Sequence, residues 1–139
     1  MKDYEYIEHT ADIGIRVYGE NLEELFRNAA KATFNLITKN NPSEDKERKL
    51  RLESKNTEDL LINWLNELIS IFFTYKFLPK SYNISIKTGV LNKLQAQIKG
   101  SIYDPYSQKI NQEIKAATYH NLNIEKISKG YKAEIIFDV

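Results

Sequence analysis

The first forty residues change from a two-residue repeat of apolar positions to a helical one. Apolar side chains alternate with other residues over residues 13–18 (IGIRVY), which predicts a β-strand with one face directed inward. Asn21 comes just before the next apolar run and Glu24 follows three residues later, a pair typical of a helix N-terminus. Apolar residues then recur every three or four positions, which predicts an amphipathic helix over about residues 22–38.

A second and more apolar helix is predicted in the middle of the chain. It follows a polar, proline-containing connector over residues 39–49 and a short strand, and Asn56 or Thr57 is expected to cap it. We expect it over about residues 57–78, ending before Pro79, because proline disfavours helical backbone in the residue before it. Apolar positions cover well over half of its circumference, so we expect neighbours on more than one side, in the middle of the fold.

The second half of the chain is predicted to be all-β. Strands separated by turn residues are expected at about residues 82–86, 94–98, 113–120 and 131–137, and residues 122–124 are expected to continue into a hairpin with the last strand. The fold class that follows is α+β, with two helices packed on a sheet rich in antiparallel strands.

Composition adds several exclusions. The 139 residues are 42% hydrophobic and 28% charged, values typical of one globular domain, here residues 1–139. The absence of cysteine excludes disulfides, thiolate metal sites and cysteine nucleophiles. The N-terminus has no apolar signal-peptide core, and polar residues interrupt the most apolar stretch, residues 60–78. We therefore expect a cytoplasmic protein with no membrane partner.

The charge balance bears on nucleic-acid binding. Twenty Lys and Arg residues against nineteen Asp and Glu residues give a net charge of +1. A protein that binds nucleic acid on its own usually has a larger basic excess or a basic stripe. The densest basic run, residues 46–51, is flanked by Glu44, Asp45 and Glu53. We therefore expect any contact with RNA to be made through a partner.

Two acidic positions are candidates for metal binding. Asp12 follows His9-Thr10-Ala11 where an extended segment becomes the first regular strand, and Asp138 is next to the α-carboxylate of Val139. Neighbouring anionic groups repel one another unless water or a cation neutralises them, and oxygen ligands suit Ca²⁺ or Mg²⁺. From the residues alone, two interpretations are favoured over metal binding: a turn in which Asp12 or Thr10 caps backbone N–H groups, and a solvated, frayed tail.

Residues 113–120 (EIKAATYH) contain the densest cluster of functional groups. On a strand, Lys115 and Tyr119 would share one face, and His120 would lie on the other. The segment is either an ordinary strand with cross-strand charge pairs or a contact surface for an anionic or protein ligand. The only two histidines, His9 and His120, match no local zinc motif, and none of the common phosphate-loop or hydrolase motifs occurs.

Four motifs together resemble the archease family. They are residues 9–14 (HTADIG), residues 64–69 (WLNELI), residues 113–120 (EIKAATYH) and residues 137–139 (FDV), in the family's order and at compatible spacing. The resemblance covers nearly the whole chain, from Tyr6 to Val139.

The resemblance implies a non-catalytic accessory protein. Archeases assist the GTP-dependent RNA-splicing ligase, which joins a 2′,3′-cyclic phosphate or 3′-phosphate end to a 5′-hydroxyl, as in tRNA splicing. They promote guanylylation of the ligase and its multiple turnover. The family's metal ligands correspond here to Asp12, Asp138 and Val139, which implies a site for Ca²⁺ or Mg²⁺. His9, Lys115, Tyr119 and His120 are candidate contacts with the ligase, and RNA would be reached indirectly.

The chain also departs from the family pattern, and two other functions are open. Ser101 and Gln108 stand where many members have glutamate and histidine, which concerns the loop over residues 100–112. One alternative is a chaperone-like modulator of RNA-modifying enzymes, which would need an exposed apolar patch. The other is a metal-dependent hydrolase, which would need His9 and His120 to converge on Asp12 in a concave pocket.

Overall fold

Two helices and eight strands form the structure, a computed structural model that describes residues 1–8 and 12–139. The strands of a five-stranded sheet are β1 (Tyr4–Glu8), β2 (Ile13–Gly19), β6 (Ala116–Thr118), β7 (Ile124–Ile127) and β8 (Gly130–Asp138). A three-stranded sheet contains β3 (Lys46–Ser54), β4 (Phe77–Lys87) and β5 (Asn92–Ile102), and the helices are α1 (Leu22–Ile37) and α2 (Thr57–Tyr75). All strand pairs within the two sheets are antiparallel. The predicted α+β class is confirmed.

Both helices lie between the two sheets. The side chain of Asn21 accepts a hydrogen bond from the Glu24 N–H (2.8 Å), and Asn56 accepts one from the Asp59 N–H (2.8 Å), so both predicted N-caps are present. Each helix contacts strands of both sheets, which explains why α2 is apolar on most of its circumference. Among the described residues, no helix is long and apolar enough to span a membrane.

The second helix ends at Tyr75, three residues earlier than predicted. Lys76 adopts a left-handed conformation (φ 58°) and its N–H still bonds to the Phe72 carbonyl, so the chain leaves the helix there. Pro79 does not mark the helix end but lies inside β4, next to a register shift. Because β4 is an edge strand, the missing proline N–H is tolerated at this irregularity.

The strand predicted over residues 113–120 is shorter in the structure. Only Ala116–Thr118 pairs with a neighbour, and Ile114 and Ala117 are both buried although strict alternation places them on opposite faces. The reason is that Ile114 precedes the paired strand, where the backbone is not yet pleated with the sheet. The predicted grouping of faces is therefore wrong at this point.

An ion-pair network covers the outer face of the five-stranded sheet. Arg16 on β2 donates to Glu5 on β1 (2.8 Å) and to Glu134 on β8 (2.6 and 2.9 Å), and Tyr18 also donates to Glu5 (2.9 Å). Hydrogen bonds from Lys2, and then from Arg16 and Tyr18, lower the pKa of Glu5 to about 2. The network joins three neighbouring strands across the face that does not contact the helices.

The short strand β6 is held between β8 and helix α2. On one side it pairs with β8, and on the other side the Asn66 amide of α2 contacts the backbone of Ala117. The Asn66 Oδ1 accepts the Ala117 N–H (2.7 Å), and its Nδ2 donates to the Ala117 carbonyl (3.2 Å). One side chain thus replaces a neighbouring strand and satisfies both polar groups of a buried residue.

Replacing Trp64 with alanine is expected to destabilise the protein by about 3–5 kcal/mol. The ring is fully buried, and its Nε1 donates to the Phe26 carbonyl of α1 (2.9 Å), so the change opens a cavity between the helices. Chemical denaturation measures the free energy of unfolding. Trp64→Phe, which keeps most of the apolar volume, should cost less, and a loss well below the range for Trp64→Ala would contradict the packing described.

Asn66→Ala is expected to lower stability by about 1–3 kcal/mol, because the buried Ala117 N–H then lacks a partner. The matched control is Asn63→Ala, an exposed position on the same helix with the same change in helix propensity. Hydrogen exchange of the Ala117 amide should accelerate in Asn66→Ala only. Equal effects of the two variants would show that the Asn66 bridge does not hold β6.

Candidate functional site

The two acidic positions that are remote in sequence lie at the same end of one strand pair. Strands β2 and β8 are antiparallel, and the last pair in their register is Ile13 opposite Phe137. Asp12 precedes Ile13 and Asp138 follows Phe137, so in this antiparallel pair both aspartates lie one residue beyond the same end. The sheet register thus makes neighbours of positions 126 apart in the numbering of the sequence.

The backbone at the end of β8 is paired rather than frayed, with Phe137 lying between β2 and β6. Opposite the Asp12 side, Asp138 pairs with Ala116 of β6, and its carbonyl accepts the Lys115 N–H (2.8 Å). Phe137 is fully buried in the core, whereas Asp138 and Val139 are exposed. The backbone of the tail is therefore fixed by the sheet while its carboxylates reach solvent.

The donor set at this end of the sheet consists of oxygen atoms. It comprises the partly buried Asp12, the exposed Asp138 and the α-carboxylate of Val139. Such ligands fit a hard divalent cation with water in the remaining positions. Among residues 1–8 and 12–139, no group of three His, Asp or Glu side chains is placed to hold a metal ion, so the set described here needs the terminal carboxylate as its third ligand. We call Asp12, Asp138 and Val139 the acidic edge.

The candidate partner contacts occupy the two ends of β6. Lys115 comes just before the strand, next to the acidic edge, whereas Tyr119 and His120 follow its other end. All three are exposed, and desolvation together with the nearby Asp59 carboxylate raises the pKa of Tyr119. The His120 N–H donates to Thr118 Oγ1 (3.3 Å). His9 lies outside the described residues, so the convergence of both histidines that the hydrolase alternative needs stays a prediction.

Both departures from the family pattern lie in ordered backbone. Ser101 belongs to β5, and its Oγ accepts the Ser43 N–H (3.2 Å). Gln108 closes a turn, with its N–H on the Asp104 carbonyl (2.9 Å) and its Oε1 accepting the Asp104 N–H (2.7 Å). These two side chains therefore support the loop, and the strand preceding it runs to Ile102, further than predicted.

Two residues that position the acidic edge were not predicted from the sequence. Asn66 holds β6, the strand that pairs with Asp138, and the available signal was a polar residue inside the apolar pattern of α2. Gly14 adjoins the edge on β2, where a Cβ would come within 2.8 Å of Ile136 Cδ1 and 3.0 Å of Ile7 Cγ1. A larger residue there would have to displace the Ile7 and Ile136 side chains on the two neighbouring strands.

Comparison with known proteins agrees with this architecture over its whole length. The model of the Archease protein family matches residues 4–139. "Protein archease" of Pyrococcus abyssi is 40% identical and covers 100% of both chains. The protein of the same name from Methanosarcina barkeri is 39% identical, over 99% of this chain and 97% of its own.

Solved structures show the same fold. The solution structure of Methanobacterium thermoautotrophicum protein 1598 superposes with a TM-score of 0.87, at 32% identity and 100% coverage of both chains. The crystal structure of a Thermotoga maritima archease, described as a possible chaperone, gives a TM-score of 0.62 at 26% identity, covering 96% of this chain and 94% of that one. On the family match and these relatives, the chain belongs to the archease family.

Proposed function

We propose that this archease is a non-catalytic activator of the GTP-dependent RNA-splicing ligase of tRNA splicing. The observation that supports the proposal is the register of β2 and β8, which brings Asp12 beside Asp138 and Val139. Asp138 and Val139 are exposed directly after three buried residues, Ile135–Phe137, which leaves the two carboxylates accessible to a partner.

The acidic edge would hold a divalent cation, Ca²⁺ or Mg²⁺. When bound, such an ion supplies positive charge that can bridge phosphate oxygens during nucleotidyl transfer. The chain's own contribution is to fix the ligands, because β2 and β6 hold the tail from either side. In this proposal Lys115, just before β6, contacts the same partner, and Tyr119 and His120 extend the contact to the other end of β6.

A chaperone-like modulator of RNA-modifying enzymes is the second candidate function. It is supported by apolar side chains exposed near the junction of α2 and β4, where Phe73 is 44%, Tyr75 55% and Ile102 52% exposed. Ile102 lies opposite Phe77 in the sheet, and the Tyr103 N–H binds the Lys76 carbonyl (2.6 Å), so these residues share one end of the molecule. In this case the acidic edge should matter little.

Asp12→Ala and Asp138→Ala are each expected to abolish stimulation of the ligase, because either change removes a ligand from the acidic edge. The measurement is multiple-turnover RNA ligation with GTP and Mg²⁺, with archease added in substoichiometric amounts. Asp45→Ala is the matched control, since Asp45 is an exposed carboxylate in the loop before β3.

Both edge residues lie outside the core, so each variant should unfold at about the same temperature as the wild type. Thermal unfolding therefore distinguishes a loss of function from a loss of structure. Full stimulation by both edge variants would overturn the cation mechanism while keeping the ligase as partner. No stimulation by wild type with a competent ligase would favour the chaperone-like function.

Extending the chain beyond Val139 is also expected to impair stimulation, since the α-carboxylate would become a peptide bond. The comparison is a short Gly-Ser extension after Val139 with the same extension before Met1, which is exposed. Ligation kinetics give the readout, and calorimetric titration with Ca²⁺ or Mg²⁺ reports binding directly. A C-terminally extended protein with full activity would show that the terminal carboxylate is not a ligand.

A further inference from the structure

The outer face of the three-stranded sheet carries a one-sided group of basic side chains. Alternate residues of this sheet pack on the helices through its inner face, and the residues between them point away from the core. We call the outward residues at the centre of this sheet and at its end near the β4–β5 turn the basic face. They are Lys49, Arg51 and Glu53 on β3, Lys93, Gln95 and Gln97 on β5, and Asn83, Ser85 and Lys87 on β4.

Cross-strand pairing leaves the central cations without carboxylates opposite them. At the two ends of the face, Glu47 lies opposite Lys99 and Glu53 opposite Lys93, which are favourable pairs. In between, Lys49 faces Gln97 and Arg51 faces Gln95. On β4 the central neighbours are likewise uncharged, and Lys87 adds a cation opposite Lys93.

The remaining contacts do not neutralise this charge. The Glu47 carboxylate accepts the Gln97 amide, and no described acidic group lies within ion-pair distance of Lys49 or Arg51. On the five-stranded sheet, by contrast, Arg16 binds two glutamates and Lys132 lies 3.5 Å from Glu125. Other exposed lysines of the described residues, such as Lys126 and Lys129, also have no ion pair. What distinguishes this sheet face is that its unpaired cations lie together on neighbouring strands.

A shallow depression of about 350 Å³ lies over the same residues. Charged groups, amides and a hydroxyl line it, and no aromatic ring does; the lining comprises Lys49, Leu50, Arg51, Asn83, Ser85, Gln95, Ala96 and Gln97. Basic, amide and hydroxyl side chains are the groups that bind phosphate oxygens and sugars in nucleic-acid complexes. Without aromatic rings, the surface offers no stacking platform for bases.

We propose that this basic face binds the phosphate backbone of nucleic acid directly and without sequence preference. Lys49 and Arg51 are two residues apart on one strand, about 7 Å, so their side chains can reach separate phosphates. An acidic protein is the less suitable partner, because the face lacks the buried aromatic or apolar anchors that dominate stable protein interfaces. The net charge of +1 conceals the face, since the rest of the chain is net acidic.

The proposal does not depend on activation of a ligase. It adds a direct contact with nucleic acid, whereas the net charge alone predicted that any contact with RNA is made through a partner. The basic face belongs to the opposite sheet from the acidic edge, with the helices between them, so each can be altered separately.

The test is fluorescence anisotropy of a labelled single-stranded RNA, titrated with the archease at several salt concentrations. Lys49→Gln with Arg51→Gln should weaken binding and reduce the slope of log Kd against log salt by about 1.4, the value for two lost phosphate contacts on a single strand. The matched control is Lys126→Gln with Lys129→Gln, two exposed positions of the five-stranded sheet's β7–β8 hairpin that change the net charge equally. It should bind as wild type does.

Two further arms define the ligand. DNA of the same sequence should bind with the same slope if the phosphate backbone alone is recognised, and RNA-selective binding lost in the basic-face variant would add a contact to the 2′-hydroxyl. Equal loss in the test and control variants, no binding at low salt, or equally tight binding of polyglutamate would overturn the proposal. Circular dichroism checks the fold, which these exposed substitutions should leave intact.

Discussion

Backbone hydrogen bonding of the C-terminal strand is the constraint on which the rest of the structure depends. Strand β8 pairs with β2, β6 and β7, so the last residues of the chain occupy the middle of the five-stranded sheet. Its inward side chains, among them Ile135 and Phe137, are fully buried. A strand that completes three ladders and part of the core cannot fray, and its end is therefore a fixed position for functional groups.

The same constraint explains how exposed carboxylates can be held precisely. Phe137 anchors the strand in the core, and the next residue, Asp138, turns to the outside because side chains alternate along a strand. Phe137 has a neighbouring strand on each side, Asp138 still pairs with β6, and Asn66 in turn supports β6 from the helix layer. Rigid backbone beneath a small, solvated set of charges is the arrangement that a cation site or a partner contact requires.

The helix layer separates two surfaces of opposite charge. The acidic edge belongs to the five-stranded sheet and the basic face to the three-stranded sheet, and both helices contact both sheets. Exposed charges further apart than about 10 Å are largely screened from one another at physiological salt. Each surface can therefore keep its own charge in a protein whose net charge is only +1.

Local patterns in the sequence predicted the helices and most strands because their causes are local. Asn21 and Asn56 cap the helices as expected, and the period-two segments are strands. The end of α2 was predicted wrongly because Pro79 is a strong local signal, whereas the helix ends where Lys76 turns left-handed and Phe77 enters the sheet. The prediction of strict strand alternation over residues 113–120 was wrong for a similar reason, since Ile114 packs into the core together with Ala117.

The sequence by itself determined which residues can carry chemistry, namely Asp12, Asp138 and the α-carboxylate of Val139. It also excluded thiol chemistry and set a near-neutral net charge. It also contained the motifs of the archease family. Only the tertiary structure decided which of these groups meet, because the register of β2 and β8 is set by packing of whole faces and not by neighbours in the chain. Register likewise placed Lys49 and Arg51 opposite glutamines, so only the folded sheet shows that no carboxylate lies directly across from these two cations.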